Sequence, residues 1–152
     1  MICNCKEVQE QYQDCTVCSN GSKIPVEENK RKYVLSNSSS REVCRVRIDG
    51  CLIQNQDRAK CDFMIIICNT EDVYFIELKG KDLIRAVEQL FQTIEDFRSE
   101  ITGKIFARAV VSKVSMPKSI EVDARVIKLR KILRKYGGNF DYSSRLYEKD
   151  RV

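Results

Sequence analysis

The sequence predicts an α/β fold with a mixed central β-sheet, helices flanking that sheet and a further helix near the C-terminus. Two apolar runs rich in β-branched and aromatic residues, Cys61–Cys68 and Val73–Gly80, flank a short polar break, which indicates an antiparallel hairpin. An amphipathic stretch, Asp82–Phe97, separates the second run from another apolar run, Lys104–Val114. A strand, a helix and a strand in this order permit a parallel right-handed crossover, so the predicted sheet contains both strand directions.

Length and hydropathy limit the class of protein. The 152 residues are enough for one domain with a substantial core, which we expect to span 22–152 after a cysteine-rich segment, 1–21. No apolar run approaches the roughly 18–20 residues of a membrane span, and no signal peptide is recognisable. We therefore expect a cytoplasmic protein that does not engage membranes.

Cysteine and histidine content narrow the chemistry. In a reducing cytoplasm, the eight cysteines are expected to be thiols or metal ligands rather than disulfides. The chain has no histidine, which excludes Ser-His-Asp triads, Cys-His pairs and other histidine-based acid–base catalysis. Any hydrolysis must therefore rely on carboxylates, lysine and metal.

The N-terminal segment carries a candidate zinc site. Cys15 and Cys18 have the spacing at which two thiolates bind one metal ion, and Cys3 and Cys5 can complete a tetrahedral set. Structural zinc would order a segment this polar; the alternative is a frayed terminus with free thiols. The other four cysteines fall on apolar segments and are expected to be small buried core residues: Cys44, Cys51, Cys61 and Cys68.

Two elements are predicted ahead of the hairpin. Pro25 and the charged residues after it favour a short helix within Ser22–Leu35. Glu42–Ile53 alternates between polar and apolar side chains, which is typical of a strand with one wet face. Asp49-Gly50 is a turn signal, and Asp49 is also a second candidate acid.

Polar residues at the ends of the hairpin strands form the candidate site. Asp62 begins the first strand, and Glu77 and Lys79 lie on one face at the end of the second, because side chains alternate along a strand. The antiparallel partner brings Asp62 to the same end of the hairpin. The apolar run Phe63–Ile67 indicates a strand buried on both faces, where a carboxylate is costly unless it is paired or binds a cation. A solvated sheet face is the alternative; the cost favours a functional site.

These residues resemble the PD-(D/E)xK nuclease superfamily. The matching residues are Asp62 and Glu77-Leu78-Lys79, on two neighbouring strands followed by a helix. The resemblance covers residues 42–113, and Cys61 stands where the family pattern often has proline. It implies a core with the order αβββαβ, as in restriction endonucleases.

The resemblance also implies a mechanism, which is metal-dependent hydrolysis of phosphodiester bonds, with DNA favoured over RNA. Asp62, Glu77 and the backbone carbonyl of Leu78 would bind Mg²⁺ or Mn²⁺. Lys79 would orient or deprotonate the attacking water, and Gln89 on the following helix would help to orient the site. A homodimer is common where a small nuclease cuts two strands. The alternatives are a nuclease fold that binds nucleic acid or protein without cutting, and a zinc-stabilised interaction module.

The C-terminal third is strongly basic. Residues 101–152 contain 13 Lys and Arg against 5 Asp and Glu, which favours a polyanionic partner. An apolar stripe that includes Val122 predicts a helix over Ser119–Tyr136, and Gly137-Gly138 ends it. The tail from Asn139 is expected to be only partly ordered. Candidate contacts to phosphates, or else a solvated basic face, are the helix residues Arg125, Lys128, Lys131, Arg134 and Lys135.

Overall fold

Two stacked β-sheets, with helices on the far face of the larger one, make up the fold. The computed structural model describes residues 4–54, 60–78 and 80–152. The larger sheet has the strand order β1 (Thr16–Ser19), β4 (Val43–Arg47), β5 (Phe63–Ile67), β6 (Asp72–Glu77), β7 (Ile105–Val111) and β8 (Phe140–Ser144). The smaller sheet has the order β2 (Lys23–Glu28), β3 (Arg31–Ser36) and β9 (Leu146–Tyr147). The helices are α1 (Cys5–Tyr12), α2 (Leu83–Phe97), α3 (Pro117–Glu121) and α4 (Ala124–Lys135).

The larger sheet is mixed, as the sequence predicts. The pairs β1–β4, β4–β5 and β5–β6 are antiparallel, whereas the pairs β6–β7 and β7–β8 are parallel. Helix α2 makes the crossover between β6 and β7. Its N-cap is Asp82, whose Oδ1 accepts hydrogen bonds from the backbone N–H groups of Ile84 and Arg85 at 3.0 and 3.3 Å. The mixed sheet, its flanking helices and the helix near the C-terminus are confirmed.

Both faces of the hairpin strands are buried. On one face, which we call the helical face, Met64 and Ile66 of β5 and Phe75 of β6 pack into the core beneath α1, α2 and α4. On the opposite face, Ile65 and Ile76 pack against the smaller sheet. Because side chains alternate along each strand, the residue number alone assigns a hairpin side chain to one layer or the other.

The short helix predicted near Pro25 is wrong, since this segment is strand β2. Ile24 and Val26 alternate into the interface with the larger sheet, and Pro25 is tolerated because β2 is an edge strand. Asn29 and Lys30, with φ of 49° and 65°, form the tight turn into β3.

The predicted C-terminal helix is divided in two. Asp123 caps α4 by accepting a hydrogen bond from the Arg125 N–H at 2.8 Å, so α3 and α4 are separate helices. Val122 lies at the break and is 74% exposed, which makes its place in the apolar stripe wrong. Leu129 and Leu133 are fully buried.

The expectation of a partly ordered tail is also wrong. Strand β8 extends the larger sheet, β9 pairs in parallel with β3, and Asp150 then contacts buried Arg108 through two hydrogen bonds of 2.7 and 3.0 Å. The Tyr33 hydroxyl donates to the same carboxylate at 2.7 Å. The guanidinium of Arg108 lies 5.5–5.8 Å from the ring centres of Tyr74, Phe106 and Tyr147. The sequence of this tail is polar and gives no sign of order, because its contacts are to residues that are distant in the chain.

Buried tyrosines lead us to predict a loss of stability at alkaline pH. Burial, followed by the charge of Asp150, raises the pKa of Tyr74 to about 12 and that of Tyr33 well above its ordinary value. Their contribution to the free energy of unfolding is complete below the unfolded-state pKa near 10 and declines as the pH rises through the folded-state values. Urea unfolding across this range should show the decline.

A matched variant tests the assignment to tyrosine. Tyr74 stacks on Phe106 with ring centres 4.5 Å apart, and phenylalanine preserves that contact. Tyr74→Phe should make the alkaline decline shallower and leave the neutral-pH stability nearly unchanged. An identical slope in the variant would contradict the role of Tyr74.

Candidate active site

The backbone of neighbouring strands fixes the position of Asp62. Its N–H donates to the carbonyl oxygen of Ile76 at 3.1 Å, and its own carbonyl oxygen accepts from the N–H of Ile48 at 2.8 Å. Asp62 is 2% exposed, and its Oδ2 accepts a hydrogen bond from the backbone N–H of Leu78 at 2.7 Å. The carboxylate is therefore held against the chain segment that follows β6.

Glu77, the last residue of β6, lies beside Asp62. The final pair in the β5–β6 register is Phe63 with Ile76, so Asp62 and Glu77 are the next residues at the same end of the hairpin. Glu77 is 1% exposed and falls on the helical face together with Phe75. Phe63 packs on the smaller-sheet face, so Asp62, the residue before it, lies on the helical face together with Met64. The structure thus brings together the two predicted acids.

The Cys61 thiol lies close enough to both carboxylates for their charges to affect its pKa. Burial first, and then the charges of Glu77 and Asp62, raise the pKa of its thiol well above the ordinary value. The backbone N–H of Cys61 donates to Thr93 Oγ1 at 2.9 Å, and that hydroxyl donates to the carbonyl oxygen of Gln89 at 2.7 Å. Helix α2 therefore borders the site. The Gln89 side chain is half-buried, and its auxiliary role stays a prediction.

A buried lysine that the sequence analysis missed lies next to these acids. Lys60 is 5% exposed, and its Nζ is 3.7 Å from Asp49 Oδ1. Asp49 lies in the turn predicted for it, directly after Ile48, whose N–H contacts Asp62. Lysine is rarely buried without a charged partner, so its position two residues before Asp62 was the available signal.

Two of the predicted residues lie outside the described residues. These are Lys79 and Cys3, so the catalytic role of the first and the zinc-ligand role of the second stay predictions. The proposed metal contact of the Leu78 carbonyl also stays a prediction. The Leu78 side chain packs on the smaller-sheet face, away from the two acids.

A groove of about 410 Å³ opens at the C-terminal ends of β6 and β7. Lys81 and Lys113 line it together with Asp82 and Asp123, and the Ser112 N–H donates to the Gly80 carbonyl oxygen nearby at 3.4 Å. The N-terminus of α2 also faces this groove. Two N–H groups of its first turn, those of Ile84 and Arg85, already donate to the Asp82 carboxylate.

The predicted phosphate-binding residues of α4 are all exposed, but they are not equivalent. Arg125 pairs with Asp123 at 2.9 Å and with Glu88 at 3.3 Å. Lys131 and Lys135 line a shallow groove on the α2–α4 surface, together with Lys128, whose Nζ is 4.5 Å from the Phe91 ring centre. Of the predicted phosphate contacts, these three lysines and Arg134 are exposed and have no acidic partner among the described residues.

The cysteines do not match the predicted zinc set. Cys5 is disulfide-bonded to Cys18, and Cys15 is bonded to Cys51, with Cα atoms 5.9 and 5.7 Å apart. Such separations suit disulfides, so the expectation of thiols is wrong for these four residues. The pairings arise because α1 and β1 pack against β4 and the turn after it. The expectation of buried thiols is confirmed for Cys44, Cys61 and Cys68.

Comparison of the chain with protein-family models, curated proteins and solved structures yields no match. Within residues 4–54, 60–78 and 80–152, no helix combines the length and the apolar content needed to span a membrane. Function therefore has to be inferred from the geometry of the residues themselves.

Proposed function

We propose that this protein is a metal-dependent nuclease that hydrolyses phosphodiester bonds in nucleic acid, with DNA favoured over RNA. The observation that carries the proposal is the 2.7 Å hydrogen bond from the Leu78 N–H to Asp62 Oδ2, beside Glu77. This bond holds one predicted acid against the strand end that supplies the other. The arrangement is the one expected from the PD-(D/E)xK resemblance.

The order of elements gives independent support. Leaving aside the smaller sheet and β1, the edge strand of the larger sheet, the chain runs α1, β4, β5, β6, α2 and β7, with three antiparallel strands and then a parallel one. This is the αβββαβ order that the resemblance implies. The two acids lie at the end of the hairpin from which α2 departs.

The residues present fit a magnesium or manganese ion. Mg²⁺ prefers oxygen ligands, keeps several waters and is commonly held by one or two carboxylates. Asp62 and Glu77 are both almost fully buried on the same face, where a cation would offset the cost of burying two negative charges. When bound, the cation would supply Lewis-acid polarisation of the phosphate and a more acidic water.

The protein's own groups would position the reactants. The Leu78 N–H fixes one oxygen of Asp62, so the carboxylate presents its other oxygen in a defined direction. Lys60, two residues before Asp62 and 3.7 Å from Asp49, would add positive charge near the negative charge that develops on the phosphate. Lys79 would orient or deprotonate the attacking water.

The neighbouring groove offers two lysines that would contact a phosphate backbone. Lys81 follows the end of β6 by four residues and Lys113 follows the end of β7 by two, and both line the groove. A nucleic acid strand in this groove would pass the two acids. A homodimer, which would place two such sites on a duplex, stays a prediction.

One observation favours a second candidate, a nuclease fold that binds nucleic acid or a protein without cutting. Asp62 and Glu77 are only 2% and 1% exposed, so substrate reaches them only if the surroundings open. The two functions differ in one result, which is cleavage.

The test is a cleavage assay on single- and double-stranded DNA and on RNA, with Mg²⁺, with Mn²⁺ and with EDTA. We expect cation-dependent cutting that is lost in Glu77→Gln and in Lys79→Ala. Glu10→Gln, which alters an exposed carboxylate on α1, is the matched control and should cut normally. Binding without cutting by a folded wild-type protein would favour the second candidate. Cutting that survives in Glu77→Gln would remove the proposed mechanism.

The basic helix allows a separate prediction about affinity. If the lysines of the α2–α4 groove bind phosphates, replacing Lys128, Lys131 and Lys135 by glutamine should weaken binding on all sequences. The slope of log K against log salt should become shallower by about 0.9 for each phosphate of a duplex that the protein no longer neutralises. Fluorescence anisotropy over a salt series measures this slope.

Arg125→Gln is the comparison variant for this helix. Arg125 already pairs with Asp123 and Glu88, so its replacement should change the slope less than the triple variant does. An unchanged slope in the triple variant would identify the basic face of α4 as solvated surface.

A further inference from the structure

Three cysteine sulfurs meet on the helical face, between α1 and strands β1 and β4, and a fourth, that of Cys68 after β5, approaches the Cys44 sulfur. Cys18 Sγ is 3.1 Å from Cys44 Sγ, and Cys44 Sγ is 3.8 Å from Cys68 Sγ. The sulfurs of Cys5, Cys18 and Cys44 all lie within 4.8 Å of one another. We call these four residues the sulfur cluster: Cys5, Cys18, Cys44 and Cys68.

The sheet, and not the sequence spacing, assembles this cluster. Cys18 is the register partner of Cys44 in the β1–β4 pair, and Cys44 is the register partner of Ile66 in the β4–β5 pair. Cys68 follows Ile66 by two residues and therefore falls on the same face. Its N–H donates to the carbonyl oxygen of Glu42 at 3.0 Å, which holds it beside β4.

One member comes from the helix. Cys5 is the first residue of α1, and its N–H donates to Glu42 Oε1 at 2.9 Å. Glu42 thus accepts one hydrogen bond from Cys5 through its side chain and one from Cys68 through its backbone. Three segments that are distant in sequence converge on one buried thiol, since Cys44 is 0% exposed.

We propose that the reduced protein binds one structural zinc ion through Cys5, Cys18, Cys44 and Cys68, and that the Cys5–Cys18 disulfide is its metal-free, oxidised form. Zinc–sulfur bonds of about 2.3 Å place the sulfurs of a tetrahedral site roughly 3.8 Å apart. The Cys44–Cys68 distance already has this value. Reduction allows Cys5 and Cys18 to separate to the same spacing.

A phosphine can reduce the Cys5–Cys18 disulfide. The Cys5–Cys18 disulfide takes up two electrons and two protons and becomes two thiols, while the phosphine gains the oxygen of a water molecule. Zinc then displaces the thiol protons to solvent as thiolates bind. Four thiolates in a closed tetrahedron are typical of structural zinc, which is not itself redox-active.

This ligand set differs from the set predicted from the sequence. Cys15 is bonded to Cys51 on the turn after β4, whereas Cys44 and Cys68 come from the sheet core. A zinc ion in the sulfur cluster would tie α1 and β1 to the central strands. Such a site is structural and is independent of the nuclease proposal.

Metal content is the first test. Wild-type protein reduced with phosphine, loaded with zinc and desalted should retain about one zinc ion per chain by elemental analysis. Cys44→Ser should retain almost none. Cys61→Ser is the matched control, because Cys61 is an equally buried thiol near the same sheet but outside the cluster, and it should retain zinc. Absence of zinc from the wild type, or full retention by Cys44→Ser, would overturn the proposal.

Cobalt substitution tests the fourth ligand. Tetrahedral Co²⁺ bound to four thiolates has intense sulfur-to-metal charge-transfer absorption, whose strength follows the number of thiolates. Cys68→Ser should lower this absorption by about a quarter and weaken zinc binding in a chelator competition. Unchanged absorption and affinity would exclude Cys68.

Alkylation of the wild type tests the ligand set without any substitution. With both disulfides reduced, iodoacetamide and peptide mass spectrometry should show that zinc protects Cys5 and Cys18 but not Cys51. Cys51 is half-buried and comes from the disulfide outside the cluster, so it is an internal control. Zinc-dependent protection of Cys15 in place of Cys18 would overturn the assignment.

Discussion

Asp62→Asn should abolish cation-dependent cleavage and leave the fold intact. Asparagine can still accept the hydrogen bond from the Leu78 N–H through its amide oxygen, but it removes the charge that would hold the metal. If the metal stabilises the transition state by about 4 kcal/mol, the rate should fall roughly a thousandfold. Single-turnover cleavage at saturating Mg²⁺ measures this loss.

Thermal unfolding of Asp62→Asn distinguishes a loss of metal binding from a loss of stability. Mg²⁺ should raise the melting temperature of the wild type, because a ligand that binds only the native state stabilises it, and this increase should vanish in Asp62→Asn. Asp62→Ala also removes the acceptor of the buried Leu78 N–H, so it should be less stable than Asp62→Asn by about 1–3 kcal/mol. Equal cleavage by Asp62→Asn and wild type would contradict the role of Asp62 in catalysis.

Asp150→Ala should be the most destabilising single change among the ion pairs described above. It removes two hydrogen bonds to Arg108 and the acceptor of the Tyr33 hydroxyl, and it leaves a buried guanidinium without its carboxylate. Breaking a buried ion pair in this way costs about 3–5 kcal/mol. The cost should appear as a lower midpoint in urea, with little change in the denaturant slope.

Two comparison variants test this explanation. Glu148 lies in the same C-terminal tail as Asp150 and forms an exposed ion pair with Lys23 of β2. Glu148→Ala breaks this pair and should lower the free energy of unfolding by less than about 1 kcal/mol. The double variant Arg108→Met with Asp150→Leu removes both charges and should be more stable than Asp150→Ala alone, because no charge stays buried without its partner. Equal stability of the double and single variants would show that the destabilisation comes from packing and not from charge.

The elements with a strong period were predictable from the sequence. The hairpin and α2 were found because their apolar spacing is unambiguous, and Asp62 and Glu77 stood out because each is an acid at the end of an apolar strand. Strand β2 was not recognised, because Pro25 and two glutamates obscure the alternation of buried and exposed side chains around Ile24 and Val26. The turn residues Asn29 and Lys30 were the missed signal of a hairpin.

The contacts between distant segments were not predictable. The Cys15–Cys51 disulfide and the approach of Cys68 to Cys44 depend on which strands become neighbours, which no local pattern encodes. Lys60 was overlooked for a related reason, since it follows a polar stretch and becomes buried only when the turn containing Asp49 packs beside it. Spacing rules find ligand pairs within a segment, whereas this sheet gathers its candidate ligands across segments.

The parallel pairing of β9 with β3 has a consequence for how the chain reaches its native state. Lys32 and Tyr33 find their partners in Leu146 and Tyr147, more than a hundred residues later. During synthesis on the ribosome, the β2–β3 hairpin therefore emerges long before β9 has been made. Until then, the backbone hydrogen-bonding groups on the outer edge of β3 have no partner strand. Closing so long a loop is slow, so the smaller sheet should be completed late, and a nascent chain stalled before Leu146 would expose a strand edge to chaperones or to other chains.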